Sequence, residues 1–239
     1  MTRTLLRRRE FLKGAGVVGA ASASPLATGT TTEAQTAAPV AAPAAPAAPG
    51  YTYLMPAEAQ FVEALVDHMI PKDELTGSGT EIGIATYIDR ALAGSWGKGD
   101  RLYMQGPWLP GTANQGYQLP LTPAELYRVG IQAADDHCRK AFGKNFAHSA
   151  ADQKETFLRD LAAGTIMLAG LPGLALFNVF YENVMEGLFA DPIYGGNRDK
   201  VGWKMIGFPG VMANNAENVK NYSEGQKFVA EPVSISDLS

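Results

Sequence analysis

Residues 122–143 read TPAELYRVGIQAADDHCRKAFG, and the two ends of this stretch decide the fold class. Thr122 is a good N-cap residue, Pro123 fills a first helical position where its missing N–H costs nothing, and Glu125 stands three residues after the cap, within reach of the cap amide. Gly143 supplies a stop, so the pattern predicts a helix from Pro123 to about Phe142. Working outward, Pro56 sits where a first-turn proline belongs, and Phe61, Val62, Leu65, Val66 and Met69 recur at helical spacing until Pro71. Ile84, Tyr87, Ile88, Ala91 and Leu92 form a second apolar face ending near Gly94. Ser149, with Asp152 three residues on, predicts a helix through Phe157, Leu158 and Leu161. Phe177, Phe180, Tyr181, Val184, Met185, Leu188 and Phe189 mark the last long one, ended by Asp191 and Pro192. No stretch sustains a period of two between turn signals, so strands should be short or absent. The expected fold is all-α, a small irregular helical bundle.

Two connections are long. Residues 95–121 are rich in Gly and Pro and carry Trp96, Tyr103, Trp108 and Tyr117; residues 191–210 hold five glycines and two prolines. Loops of this length without secondary structure are usually functional or disordered, and aromatic content argues against disorder. Residues 161–181 contain no charged side chain and are long enough to span a bilayer. They also contain Gly164, Gly170, Pro172, Gly173 and Asn178, and the Leu-Pro-Gly break reads as the end of one buried helix and the start of the next. Buried helices and a membrane span are the two alternatives, the first better matched.

Charge divides the chain. Residues 1–36 carry Arg3, Arg7, Arg8, Arg9 and Lys13 against Glu10 and Glu33, a balance of +3, and the remainder stands at −7 within a total of −4. So acidic a body repels a phosphate backbone, which disfavours nucleic acid as a partner. One cysteine and three histidines exclude an internal disulfide, a CxxCH haem attachment and a cysteine-ligated cluster. Arg8, Arg9, Phe11, Leu12 and Lys13 lie in RREFLK, followed by a mildly apolar run of small residues from Gly14 to Ala23, the plan of a twin-arginine signal peptide over residues 1–36. Arg7 replaces the usual Ser or Thr before the pair, and Ala23, Ala34 and Ala38 are all possible cleavage points. Residues 37–50, the run AAPVAAPAAPAAPG, read as a disordered, polyproline-like linker. The helical domain is expected at 51–239, with a tail from about 223.

Twin-arginine export carries folded cargo, which matters most when a cofactor is inserted before crossing. There is no GxGxxG after a strand, no Walker loop and no plausible metal cluster here. That combination points to an escort for a partner that holds the cofactor and lacks a signal. Within 191–210, Gly195, Gly196 and Asn197 permit sharp backbone turns beside Arg198, presenting Tyr194 and Trp203 to an anion or to another protein; alternatively the glycines serve tight turns and the aromatics cover the bundle. Cys138 follows His137, but adjacent helical residues point about 100° apart and form no Cys-His pair by themselves. It is either a buried inert thiol or, in an oxidising compartment, one half of an intersubunit disulfide. His68 and His148 have no convincing partner spacing, and no carboxylate pair can be given acid and base roles.

RLYMQGPW at 101–108, GLFADP at 187–192 and above all YGGNRDKVGWKMIGFPG at 194–210 resemble the gluconate 2-dehydrogenase subunit 3 family, with similarity from Pro56 to about Gly210. The family pattern often has Met where this chain has Lys200. The resemblance implies a small, twin-arginine-bearing subunit of a periplasmic dehydrogenase complex at the inner membrane. Its companions would be an FAD-containing subunit of the glucose-methanol-choline type, oxidising a sugar or sugar acid, and a multihaem cytochrome c; FAD and haem c would belong to those partners, and membrane attachment would come only through them. The chain itself would hold no redox centre, catalytic residue or metal, and would aid maturation, export and stability of the flavoprotein. Tyr194, Gly195, Gly196, Asn197, Arg198, Trp203 and Trp108 are the expected partner interface, because aromatic residues and Arg concentrate binding energy. The rival readings are a subunit that contributes Tyr194, Asn197 and Arg198 to a shared substrate or flavin site, and a membrane-anchored binding module using residues 161–181.

Overall fold

The Thr122 signal forms as read. Thr122 Oγ1 accepts the Glu125 N–H at 3.3 Å, the Glu125 carboxylate accepts the Thr122 N–H at 2.8 Å, and Gly143 closes the helix with φ +76°. The computed structural model describes residues 50–238 except 110, 113, 114, 116, 117 and 213. The signal and linker expectations for 1–49, including Arg8, Arg9, Phe11, Leu12 and Lys13, and the aromatic Tyr117 lie outside the described residues.

Seven α-helices are found among the described residues: α1 Pro56–Met69, α2 Ile84–Ala93, α3 Pro123–Phe142, α4 Ala151–Ala162, α5 Gly173–Phe189, α6 Val201–Ile206 and α7 Ala216–Ser223. The first three and α5 match the sequence reading closely. At α4 the cap differs: the Gln153 side chain accepts the Ala150 N–H, while the Ser149 hydroxyl turns back to donate to Asn145 O across the 3₁₀ turn Phe146–His148. Between α4 and α5 the Leu-Pro-Gly break becomes a minimal antiparallel hairpin, β1 Met167–Leu168 with β2 Leu171–Pro172, in the register Met167 with Pro172 and Leu168 with Leu171. The uncharged run 161–181 is therefore two helix ends and a hairpin. No helix among the described residues is long and apolar enough to cross a membrane.

The core lies among α1 to α5, with Ile84, Ile88 and Leu92 from α2, and an aromatic cluster stands within it. The Phe61 ring is 4.7 Å from Phe146 and 5.7 Å from Phe180, Tyr127 meets Phe180 edge-on at 5.1 Å, and Phe157 reaches Phe146 at 5.7 Å. Tilted and edge-to-face pairs of this kind add to the apolar burial of each ring, which alone is worth roughly 1.5–3 kcal/mol. Two buried carboxylates fix what surrounds this core. Asp89 on α2 accepts the consecutive N–H groups of Thr52, Tyr53 and Leu54 at 2.7, 2.8 and 2.9 Å, tying the segment before α1 across α2. Glu58 accepts the Met55 N–H and pairs with Arg128 at 3.0 Å, whose guanidinium lies 4.7 Å from the centre of the Tyr53 ring.

Of the two long connections, 95–121 carries no helix or strand among its described residues. The other differs from expectation. Residues 191–210 fold into the 3₁₀ turns Pro192–Tyr194 and Arg198–Lys200 followed by α6, because close contact with α5 supplies partners that local sequence does not display. The tail from about 223 follows α7; it contains a turn at Ile235–Leu238, and Val233 forms a parallel bridge with Gly210, so the chain end returns to the 191–210 segment.

Candidate functional site: the 191–210 segment and the groove beside it

Residues 194–210 turn Gly196, Asn197, Gly202 and Trp203 inward and leave Tyr194, Arg198, Met205, Ile206 and Phe208 exposed. Asn197 is fully buried in a left-handed conformation, φ +46°; its side-chain amide donates to Ala190 O at 2.9 Å, and its Oδ1 accepts the Gly202 N–H at 2.8 Å. One side chain thereby joins the end of α5 to the start of α6. Trp203 is 5 % exposed, donates its indole N–H to Phe189 O at 2.7 Å and meets Phe208 edge-on at 5.2 Å. Arg198 donates Nη1 to Glu81 O at 2.8 Å and its backbone N–H to Ile82 O at 2.9 Å. A Cβ on Gly196 would collide with the carbonyl of Gly187, so glycine is required there for the segment to lie against α5. At Gly195, φ is +103° and an added Cβ would lie 3.1 Å from Arg90 Nη1, a second reason for glycine.

The return of the chain end fastens this segment from outside. Asp191 accepts the Ile193 N–H at 3.0 Å with one oxygen and the Ile235 N–H at 2.9 Å with the other. Lys200 meets Asp237 at 2.7 Å, and the same Asp237 oxygen accepts the Ser234 N–H at 2.7 Å; these bonds, the lysine's first, hold the Asp237 carboxyl down at about 2.

These positions revise the expected interface. Gly196, Asn197 and Trp203 are buried and face this chain's own helices, since their polar groups and close backbone contacts are needed to close the fold. Tyr194, 56 % exposed, and Arg198 face solvent, Gly195 is intermediate, and Trp108 is partly exposed on the other long connection. Cys138 is 0 % exposed on the inner side of α3, and burial, then the charge of Asp135, pushes its thiol up to about 12. Such a thiol stays protonated and unreactive, which favours the buried-thiol alternative. His68 lies 3.0 Å from Glu155, and His148 Nδ1 lies 2.6 Å from Asn145 Oδ1. No group of three or more His, Cys, Asp or Glu among the described residues gathers to hold a metal ion.

The sequence does not reveal a groove of about 740 Å³ between α2 and α5, bordered by Ser95, Trp96, Ile193 and Tyr194. Its lining includes Tyr87, Arg90, Phe189 and Tyr194. Beneath it runs a hydrogen-bonded chain: Tyr127 OH donates to Asn183 Oδ1 at 2.9 Å, Asn183 Nδ2 donates to Glu186 at 3.0 Å, and Tyr87 OH donates to the same Glu186 oxygen at 3.2 Å. Burial, then the Glu186 charge and hydrogen bond, pushes the Tyr87 phenol up to about 12, so it remains a donor at neutral pH. Tyr87 and Arg90 stand three apart on α2, a spacing that places them on one helix face; only the tertiary fold reveals that this face meets α5.

The profile of the gluconate 2-dehydrogenase subunit 3 family matches residues 56–210, which is more than half of the chain and ends at the close of the 194–210 segment. No curated protein and no solved structure matches. With its helical bundle and the 194–210 segment folded onto α5, the chain belongs to the gluconate 2-dehydrogenase subunit 3 family, and through that membership to a multi-subunit dehydrogenase complex.

Proposed function

We propose that this chain is the non-catalytic small subunit of a periplasmic, membrane-associated, FAD-dependent sugar or sugar-acid dehydrogenase, and that it aids maturation, twin-arginine co-export and stability of the flavoprotein subunit. The observation that carries this reading is that the distinctive polar side chains of 194–210 are bonded to this chain's own backbone. A substrate or flavin site needs polar groups held free to meet a ligand. Asn197, Arg198 and Trp203 are instead bonded to carbonyls of α5 and of the segment before α2. The most distinctive part of the sequence thus acts as a clamp that rigidifies a scaffold. FAD would belong to a partner of the glucose-methanol-choline type and haem c to a multihaem cytochrome, the membrane being reached through that complex. Tyr194, Arg198 and Trp108 would face the partner. Arg8 and Arg9, with Phe11, Leu12 and Lys13, would direct the folded assembly to export, which supports an escort role for a chain without a dinucleotide motif.

Replacing Arg8 and Arg9 by Lys tests the reading directly. Fractionation should find both this chain and the flavoprotein retained in the cytoplasm; a flavoprotein that still reaches the periplasm would end the escort proposal. Full turnover is also expected from a flavinylated large subunit prepared without this chain. Loss of turnover with flavin retained would instead place this chain in the catalytic unit.

A further inference from the structure

The chain end lies on the 191–211 segment as a bound peptide lies on a receptor. The Val211 N–H donates to Val233 O at 2.7 Å and the Val233 N–H donates to Pro209 O at 3.0 Å, one step of a parallel ladder. Asp191 Oδ2 accepts the Ile235 N–H at 2.9 Å, and Lys200 Nζ meets Asp237 Oδ2 at 2.7 Å. Pro232 and Ser234 are buried. A Cβ on Gly210 would collide with the Val233 carbonyl, so the approach of the two backbones needs glycine. Residues 232–238 are thus read by main-chain bonds, two buried side chains and one charge. The link to this strap is of another kind. Among the described residues of 212–231 none is buried, and their hydrogen bonds run only to one another. The strap is held by its own contacts alone, and its opening breaks nothing else.

The match to the family ends at Gly210, so Asp191, Lys200, Pro209 and Gly210 lie within it and the strap lies beyond it. The receiving surface belongs to the shared part of the chain, and its occupant does not. We propose that Asp191, Lys200 and Pro209–Val211 form a peptide-recognition site, filled here by the chain's own end and open in exchange to an extended acidic segment of another protein. Such a segment pairs its backbone with 209–211 and offers a main-chain N–H to Asp191. It carries a small side chain where Ser234 is buried, and three residues later an Asp or Glu that reaches Lys200. Main-chain pairing supplies affinity and the side-chain positions supply selectivity, as where a peptide adds to an exposed strand edge. The link 212–231 holds the strap at an effective concentration on the order of millimolar, and a visiting segment has to outcompete it.

The test uses the full chain and a labelled synthetic peptide, EPVSISDLS, the sequence of residues 231–239, with binding followed by fluorescence anisotropy. Asp237→Lys sets a like charge beside Lys200 and releases the strap. That variant should bind the peptide about ten-fold or more tightly than the wild type, whose own strap competes. Lys200→Asp also releases the strap and should reverse the preference, binding a peptide that carries Asp237→Lys about ten-fold more tightly than it binds EPVSISDLS. The unaltered chain gives a second readout that needs no variant: excess EPVSISDLS should shift the amide resonances of Val211, Val233 and Ile235 as the strap is displaced. The proposal is overturned if Asp237→Lys binds the peptide no better than the wild type, or if Lys200→Asp treats the two peptides alike. It is equally overturned if excess peptide leaves those three amides of the wild type in place or moves only amides elsewhere.

Discussion

Between α1, α3, α4 and α5 the molecule is held by rings, with Phe61, Tyr127, Phe146, Phe157 and Phe180 all sealed from solvent. From Asp191 onward Trp203 is the one large hydrophobic side chain buried among the described residues, while Ile206, Val219, Tyr222 and Val229 stand 60–79 % exposed. α7 buries no residue at all. An eight-residue helix has too few internal bonds to offset its nucleation cost without packing, so this region draws its order from outside itself. Residues 196–203 take their order from hydrogen bonds to the end of α5 and from glycines that let main chain lie on main chain, whereas the bonds of α7 are local. The difference teaches that one part of the chain makes a core for its own stability, whereas the other uses the finished core as a template and leaves apolar groups outward, consistent with a subunit whose surface is completed by a complex.

Three measurements can break or sharpen this contrast. The largest effect is expected from Phe180→Ala, which opens a cavity between Phe61 and Tyr127 and should cost roughly 3–5 kcal/mol in chemical denaturation. A loss under about 1 kcal/mol would mean that the aromatic cluster is not the seat of stability. Next comes Asn197→Ala, which leaves Ala190 O and the Gly202 N–H without their partner and should cost roughly 2–4 kcal/mol. By hydrogen exchange the lost protection should fall on 197–210 with the core amides little changed. Uniform loss across both regions would join what the comparison separates.

The smallest effect concerns pH. Asp237 titrates in the fold at about 2, below its ordinary 3.8, so its contribution is complete above the ordinary value and is lost as pH falls through about 2. In an acid titration followed by NMR, the turn Ile235–Leu238 should loosen over that window while the core remains folded, and Lys200→Met should move the Asp237 midpoint upward. An unmoved midpoint would remove the Lys200 contact from the account.

Where local signals are complete, the chain was legible. Thr122, Pro123, Glu125 and Gly143 bounded α3 to the residue, and Pro172 with Gly173 divided the uncharged run correctly. Ser149 has the look of a cap for α4 but does not cap it, because a hydroxyl near a helix start has several backbone acceptors within reach, and here a 3₁₀ turn competes for it. The glycine-rich segment is distinctive in the sequence, but the sequence leaves open whether its aromatic and amide groups face a partner or cover the bundle. Nothing in the order of residues says that Trp203 will find Phe189 O or that Asn197 will bridge Ala190 and Gly202, since those acceptors become available only once α5 ends where it does.

By itself, then, the sequence determined the all-α class, the positions of the principal helices and the family, because caps, periodic apolar faces and a long unusual motif are local properties of a chain. Only the tertiary structure decided which of the motif's residues turn inward, that α6 and the chain end fold back on it, and that Arg90, Trp96 and Tyr194 share one groove with Tyr87. Those facts depend on where helix ends and loops meet in space, across separations from 7 positions at Asn197 and Ala190 to 103 at Arg90 and Ile193, and helix packing, not sequence spacing, brings such residues together.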